Sequence, residues 1–144
     1  MKIPQWNYLK NSPFTLAAIK KARPSPKETE RALGRAATGH ILDMLKRVDG
    51  GVGLNGRFKA YNPKYAEYRA EKGRGTSAVN LQFTGKMLAD VTLKKSSPTQ
   101  AVIGFSKEIE RRKAVSNQKQ RPWFGVTDSE EKKIASRFKR EIFR

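Results

Sequence analysis

Several kinds of residue and segment are missing from this chain of 144 residues. It has no cysteine, which excludes a disulfide framework and a thiolate metal site. No stretch approaches the ~20 consecutive apolar residues that a membrane-spanning helix needs, and the first residues lack the apolar segment of a signal peptide. We therefore expect a soluble protein that has no membrane partner and is not exported by a signal peptide.

Histidine is also scarce, since His40 is the only one. Nucleophilic catalysis of the Ser-His or Cys-His type needs a base beside the nucleophile, and His40 lies next to the apolar stripe of a predicted helix, where a structural role is expected. The close carboxylate pairs, such as Glu28 with Glu30, stand two residues apart on predicted helices and point in different directions. The sequence thus predicts no catalytic residue, cofactor, metal ligand set or small-molecule substrate, and no enzyme.

One enzymatic alternative is a nuclease whose acidic side chains would surround a magnesium ion on a basic surface. The residues available for such a site are Asp43, Asp49, Glu67 and Asp90. Nothing in their spacing supports this alternative.

Acidic residues are outnumbered, with 13 Asp and Glu against 31 Lys and Arg and a formal net charge of +18. A field of this size attracts polyanions, and the charge alone does not choose among DNA or RNA, an anionic membrane face and an acidic protein neighbour. The charge meets the first criterion for nucleic-acid binding, but no zinc-finger spacing, RNA-recognition signature or basic-region heptad accompanies it. Such binding would be mainly to phosphates and would weaken steeply with salt.

The charge and the prolines divide the chain into a basic extended arm, residues 1–24, and one domain, residues 25–144. The arm has no acidic residue, and its prolines break any long helix. It carries three aromatic side chains that could anchor it to a neighbouring subunit or pack it on its own domain: Trp6, Tyr8 and Phe14.

Capping signals and apolar spacing predict an α+β fold. The sequence Ser25-Pro26-Lys27-Glu28 is typical of a capping box that begins a long N-terminal helix. This helix should end at Asp49-Gly50-Gly51, with Arg31, Arg35, Lys46 and Arg47 available to solvent or to a partner. The glycines of residues 50–59 indicate a flexible loop.

Asn62-Pro63 should cap a second helix that carries Tyr61, Tyr65 and Tyr68 toward one side. Interleaved cations could let these rings stack on bases; alternatively, the tyrosines pack the helix on the body and the cations stay solvated. The cations are Lys64, Arg69, Lys72 and Arg74.

The second half should contain a central antiparallel hairpin followed by two helices. A short helix with Met87 and Leu88 precedes one strand, and residues 101–105 form the returning strand. A charged helix over residues 107–117 and a polar loop over residues 116–120 should follow. The C-terminal helix begins at Thr127 or Asp128, each of which has a glutamate three residues later.

Four segments of the second half occur in an order that resembles the virion morphogenesis, or tail-completion, family of Mu-like and related tailed phages. They are Tyr61-Asn62-Pro63-Lys64-Tyr65-Ala66, Val79-Asn80-Leu81-Gln82-Phe83-Thr84-Gly85-Lys86-Met87-Leu88, Ala101-Val102-Ile103-Gly104-Phe105 and Arg121-Pro122-Trp123-Phe124-Gly125-Val126-Thr127. In that family an extended Leu-x-x-Thr-Gly-x-Met-Leu segment leads into a hairpin, and an Arg-Pro-aromatic-aromatic-Gly turn precedes a terminal helix.

The resemblance implies a structural virion protein of the head-tail neck or tail, assembled in the host cytoplasm. Its partners would be copies of itself and neighbouring neck or tail proteins, with packaged DNA as a further, non-specific contact. The family supplies no catalytic residue. Within the turn, Arg121, Trp123 and Phe124 have the composition of interface anchors, although the two aromatics could equally be core residues. The alternative function is non-sequence-specific nucleic-acid binding.

Overall fold

The computed structural model describes residues 23–144. The predicted arm, with Trp6, Tyr8 and Phe14, lies outside the described residues apart from its last two positions. Within the described part of the chain, none of the helices combines the length and apolarity that crossing a membrane requires.

A long helix, α1 (Pro26–Asp49), begins at the predicted cap. Ser25 Oγ accepts a hydrogen bond from the Glu28 amide at 3.2 Å, and the Glu28 carboxylate accepts one from the Ser25 amide at 2.7 Å. These reciprocal bonds satisfy amides that have no partner within the helix. The helix ends at Gly50, whose amide donates to the Lys46 carbonyl at 3.1 Å. Both predicted ends of the helix are confirmed.

The remaining elements confirm the α+β class, with a long N-terminal helix, an antiparallel hairpin and a C-terminal helix. They are β1 (Val52–Gly53), β2 (Gly56–Arg57), α2 (Pro63–Glu71), α3 (Lys86–Ala89), β3 (Val91–Ser96), β4 (Ala101–Phe105), α4 (Glu108–Gln120) and α5 (Asp128–Ile142). Strand β1 pairs with β2, and β3 pairs with β4, both antiparallel.

The β3–β4 hairpin lies against α1. Val91 pairs with Phe105, and Leu93 with Ile103, before an irregularity in the register between Leu93 and Lys95. Val91, Ile103 and Phe105 are buried in the core. The end of the hairpin is fixed to the first turns of α1, because Ser96 Oγ donates to the Glu30 carbonyl at 2.9 Å.

Helix α5 packs antiparallel along α1 and closes the core. Thr127 Oγ1 caps it by accepting from the Glu130 amide, which decides between the two predicted caps. Ile134 and Phe138 are fully buried. Three ion pairs follow the length of the two helices: Arg35 with Glu141 at 2.7 Å, Asp43 with Arg137 at 2.7 Å, and Arg47 with Glu130 at 2.8 Å.

The turn before α5 delivers its two aromatic side chains to the core. Trp123 is 0% exposed and Phe124 9% exposed, and both rings lie within 6.3 Å of Phe105, centroid to centroid. Of the two alternatives for these residues, the core role is the one that the structure shows. An interface role for Trp123 and Phe124 is not supported, since their side chains are enclosed by their own domain.

Arg47, expected on the surface, is largely enclosed instead. Its Nε donates to Glu130 Oε1 at 2.8 Å, and its Nη2 donates to the carbonyls of Trp123 at 3.1 Å and Gly125 at 3.4 Å. Its Nη1 donates to the Val52 carbonyl at 3.4 Å. A planar guanidinium can serve several acceptors at once because its donors form a rigid fork. One side chain thus joins α1, β1, the aromatic turn and α5.

The glycine-rich segment after α1 is a small hairpin, not the flexible loop that its composition predicts. The Leu54 amide donates to the Pro122 carbonyl at 2.8 Å, which ties the hairpin to the aromatic turn. A Cβ on Gly53 would lie 2.5 Å from the Pro122 carbonyl oxygen. Glycine therefore allows the close approach of two backbones.

The predicted polar loop over residues 116–120 is also wrong, since α4 continues to Gln120. One polar side chain of this last part of the helix, Gln118, binds the backbone of the turn that follows, which composition did not indicate. Gln118 Oε1 accepts from the amides of Trp123 and Phe124, both at 2.9 Å. Gln118 Nε2 donates to the Phe124 carbonyl at 3.2 Å. The end of α4 therefore fixes the backbone of the turn that follows.

His40 is buried beside the Arg47–Glu130 pair. Burial lowers its pKa from the ordinary value of 6.5, and Arg47 lowers it further; Glu130, Asp43 and a hydrogen bond with the Gly125 backbone oppose this without reversing it. For Glu130, burial raises the pKa, but hydrogen bonds from Arg47 and the Thr127 amide outweigh it and leave the pKa below 4.5. The histidine is thus held neutral next to an ionised pair.

Acidification should destabilise the fold through His40. Because the pKa of His40 in the folded chain lies below its ordinary value of 6.5, the unfolded chain binds a proton before the folded chain does. The free energy of unfolding therefore falls as pH falls through 6.5 toward the lowered pKa. His40→Gln should flatten this slope, measured by urea unfolding at each pH. Glu130 has an ordinary pKa of 4.5 and contributes below this window. An unchanged slope in His40→Gln would contradict the assignment.

The Arg47–Glu130 pair should give a non-additive double-mutant cycle. Arg47→Met leaves the Glu130 carboxylate buried without its cation and should cost roughly 3–5 kcal/mol in the free energy of unfolding. Arg47→Met with Glu130→Gln should cost less than the sum of the single changes, because the amide is neutral and can keep the bond to the Thr127 amide. Denaturant unfolding measures all four proteins. Simple additivity would show that the two side chains act separately.

Candidate binding cleft

An open cleft of about 810 Å³ lies where α2 and the segment before α3 face α4 and the start of the aromatic turn. Pockets of about 300–1,000 Å³ hold ligands of small-molecule size or a short chain segment. The lining residues are Lys59, Ala60, Tyr61, Asn62, Tyr65, Tyr68, Arg69, Leu81, Phe83, Thr84, Gly85, Met87, Lys113, Asn117, Gln120 and Arg121.

A row of aromatic rings forms one wall. Tyr61 meets Tyr65 edge to face at 5.1 Å, Tyr65 stacks on Tyr68 at 6.3 Å, and Tyr68 stacks on Phe83 at 5.7 Å with 8° between the ring planes. Tyr65 and Tyr68 share a side of α2 because their spacing of three residues is close to the helical period, and Tyr61 meets them from the residue before the Asn62 cap. Phe83 joins them from the loop that precedes α3.

Arg69 lies inside this wall. Its residue is 3% exposed, and the guanidinium carbon lies 4.6 Å from the Tyr61 centroid and 5.8 Å from those of Tyr65 and Phe83. Its Nε donates to the Gly75 carbonyl at 3.0 Å. Among the described residues Arg69 makes no salt bridge. A buried cation is therefore balanced by ring faces and one carbonyl, without an anion.

Another wall residue is Arg121, the one predicted interface residue among residues 23–144 that lines the cleft. Its guanidinium lies 5.4 Å from the Tyr61 centroid, and it donates to the carbonyls of Lys59 at 3.4 Å and Ala60 at 3.5 Å. The hydroxyl of Tyr61 is buried and has no hydrogen-bond partner among the described residues. A buried polar atom of this kind costs free energy unless a partner is supplied.

The charges on the cleft wall have one sign. Four lining side chains are cations, and none of the lining residues is Asp or Glu. Lys113 is partly neutralised by Glu110, at 3.1 Å, whereas Lys59, Arg69 and Arg121 make no salt bridge within the described chain. The cleft is therefore suited to an anionic ligand.

Local backbone features fix the start of α2 and the start of α3. Asn62 Oδ1 caps α2 by accepting from the Tyr65 amide at 2.9 Å. Gly85, with φ of +77°, makes the left-handed turn that begins α3, a conformation that glycine adopts without strain. Met87 and Leu88 then anchor the segment in the core.

The carboxylates considered for a nuclease do not converge. Asp43 bonds to Arg137, which lowers the Asp43 pKa despite partial burial; Asp49 accepts from Gln82 Nε2, and Asp90 from the Lys107 amide. Between residues 23 and 144, no three His, Asp or Glu side chains are grouped to hold a metal ion. Each of these three acids has a structural partner instead.

Sequence reasoning found part of this site. The three tyrosines and Arg121 were candidates. The tyrosine rings pack on one another, and Tyr65 and Tyr68 keep 38% and 45% of their surface exposed; the expectation that the interleaved cations stay solvated is wrong for Arg69, and stacking on bases stays a prediction. The burial of Arg69 and the stacking of Phe83 were missed, and so were Lys59 and Lys113. The one sequence signal for the position of Arg69 was its helical spacing, four residues after Tyr65.

Comparisons with models of known protein families, with curated proteins and with solved structures find no match to this chain.

Arg69→Lys should loosen the loop over residues 72–85. Lysine keeps the charge but cannot stack a planar group between rings or keep the fork geometry, so amide hydrogen exchange in this loop should accelerate by about tenfold. Arg74→Lys is the matched control, because Arg74 is exposed and its guanidinium carbon lies 5.6 Å from the centroid of the same Phe83 ring. Equal exchange in both variants would contradict the structural role of Arg69.

Proposed function

We propose that this chain is a structural virion protein of a tailed phage, a subunit that acts in assembly at the head-tail neck or in the tail. It carries out no reaction. Its work is to bind copies of itself and neighbouring neck or tail proteins.

The observation that carries this proposal is where the resembling segments lie in the fold. Residues 79–88 lead through α3 into the β3–β4 hairpin, and residues 121–127 form the turn that delivers Trp123 to the core before α5. These are the positions that the resemblance implies for the two motifs. Both segments determine the shape of the domain. The resemblance therefore concerns the architecture of the domain and not a catalytic site.

Two surface properties support an assembly role. Large apolar side chains stand exposed on separate elements, among them Leu42 on α1 and Ile109 on α4, at 66% and 58% exposure. The net charge of +18 would draw the subunit to acidic faces of neighbouring proteins. Single exposed apolar residues are common, so these side chains support an assembly role only in combination with the net charge and the cleft.

The second candidate is non-sequence-specific nucleic-acid binding, and the observation that favours it is the same net charge of +18. The two functions differ in what holds the complex together. Phosphate contacts release counterions and weaken steeply with salt, whereas subunit interfaces with buried apolar surface persist.

Light scattering coupled to size-exclusion chromatography tests this proposal directly. At moderate and at high salt, without DNA, the protein should elute as discrete oligomers whose masses are multiples of 16.3 kDa. Added short duplex DNA should change the mass little at high salt. A monomer that gains mass only with DNA, and loses it as salt rises, would favour the nucleic-acid candidate.

A further inference from the structure

The cleft between α2 and α4 combines three features that together indicate a ligand. Its wall is cationic and has no carboxylate. Arg69 is buried in that wall without an anionic partner among the described residues, and the Tyr61 hydroxyl is buried without a hydrogen-bond partner. An anion that also accepts hydrogen bonds would satisfy all three.

The ring geometry argues against nucleic acid as the occupant. Single-stranded nucleic acid is held by bases that stack on free aromatic faces. Here Tyr68 is stacked between Tyr65 and Phe83, and the Phe83 ring also receives Arg69 and Arg74. On Tyr68 and Phe83, ring faces that bases would need are therefore already occupied by neighbouring side chains.

The shape and the polar groups of the cleft fit a peptide better. A volume of about 810 Å³ admits a short extended segment. The side-chain amides of Asn62 and Gln120 lie at its lining, both on exposed residues, where they can bond to a peptide backbone. The cations beside them match aspartate or glutamate side chains.

We propose that this cleft binds an acidic, extended peptide segment of a neighbouring protein. The carboxylates of that segment lie against Arg121 and Lys59, and the Tyr61 hydroxyl donates a hydrogen bond to the segment. This inference rests on the proposed assembly function, for which it names one type of contact: an acidic strand or tail seated in a basic, tyrosine-lined cleft.

Fluorescence anisotropy with the full chain tests the proposal. The labelled ligand is a short peptide of alternating Glu and Asp residues, and the comparison ligands are the same peptide with Gln and Asn, and a single-stranded oligothymidine. The acidic peptide should bind saturably, and Tyr61→Phe and Arg121→Gln should each weaken it by about tenfold. Circular dichroism checks that the variants fold.

Lys59→Gln and Lys132→Gln form a matched pair, because both remove one exposed cation and only Lys59 lines the cleft. Lys59→Gln should weaken the acidic peptide severalfold more than Lys132→Gln. Equal weakening, or absence of saturable binding, would overturn the proposal, since the attraction would then be a property of net charge. Tighter binding of the oligothymidine through Tyr61 and Arg121 would overturn it in favour of a nucleic-acid site.

These outcomes are separable from those of the light-scattering experiment. Oligomers that persist at high salt, with no peptide binding at the cleft, would leave the assembly function standing and remove only this contact. Peptide binding by a protein that never assembles would support the cleft as a peptide site and remove the assembly function.

Discussion

The largely enclosed guanidinium of Arg47 makes the interaction on which the rest of this fold depends. It bonds to Glu130 and to the carbonyls of Val52, Trp123 and Gly125, so four separate segments share one cation. Without it, these carbonyls and the carboxylate would face each other in a poorly solvated space, at a cost of several kcal/mol (of the order of 3–5). In the same arrangement burial lowers the pKa of His40, and the positive charge of Arg47 beside it lowers that pKa further.

The shape of the cleft depends on these contacts of Arg47. Gln118 fixes the aromatic turn from the end of α4, Arg47 fixes it from α1, and Arg121 extends from the near side of the turn over the Tyr61 ring. The buried and exposed parts of one short segment therefore have different roles. Trp123 and Phe124 hold the domain together, while Arg121 faces the space that a partner would enter. A substitution at Trp123 would disturb the cleft by moving its wall and not by removing a contact.

Local signals predicted the elements well, whereas tertiary partners could not be read from the chain. The caps at Ser25 and Thr127 and the β3–β4 hairpin depend on residues within a few positions of one another, which is why pattern and propensity sufficed. Arg47 looked like any surface cation of an amphipathic helix, because its main acceptors lie more than 70 positions further along the sequence. The glycine-rich hairpin was mistaken for a loop for the same reason, because its partner is at Pro122. The end of α4 was mistaken for a loop on its polar composition, although the partners of Gln118, the amides of Trp123 and Phe124, lie within six positions.

The three ion pairs between α1 and α5 specify how the two helices align. Along α1 the charges run positive, negative, positive at Arg35, Asp43 and Arg47; along α5 the opposing series is negative, positive, negative. Sliding α5 by one turn would bring Arg137 toward Arg47 and leave Asp43 without its cation, so a slipped packing meets repulsion instead of merely losing contacts. Apolar stripes alone would tolerate such a slip. This sign pattern makes the long helix accept the terminal helix in a single alignment.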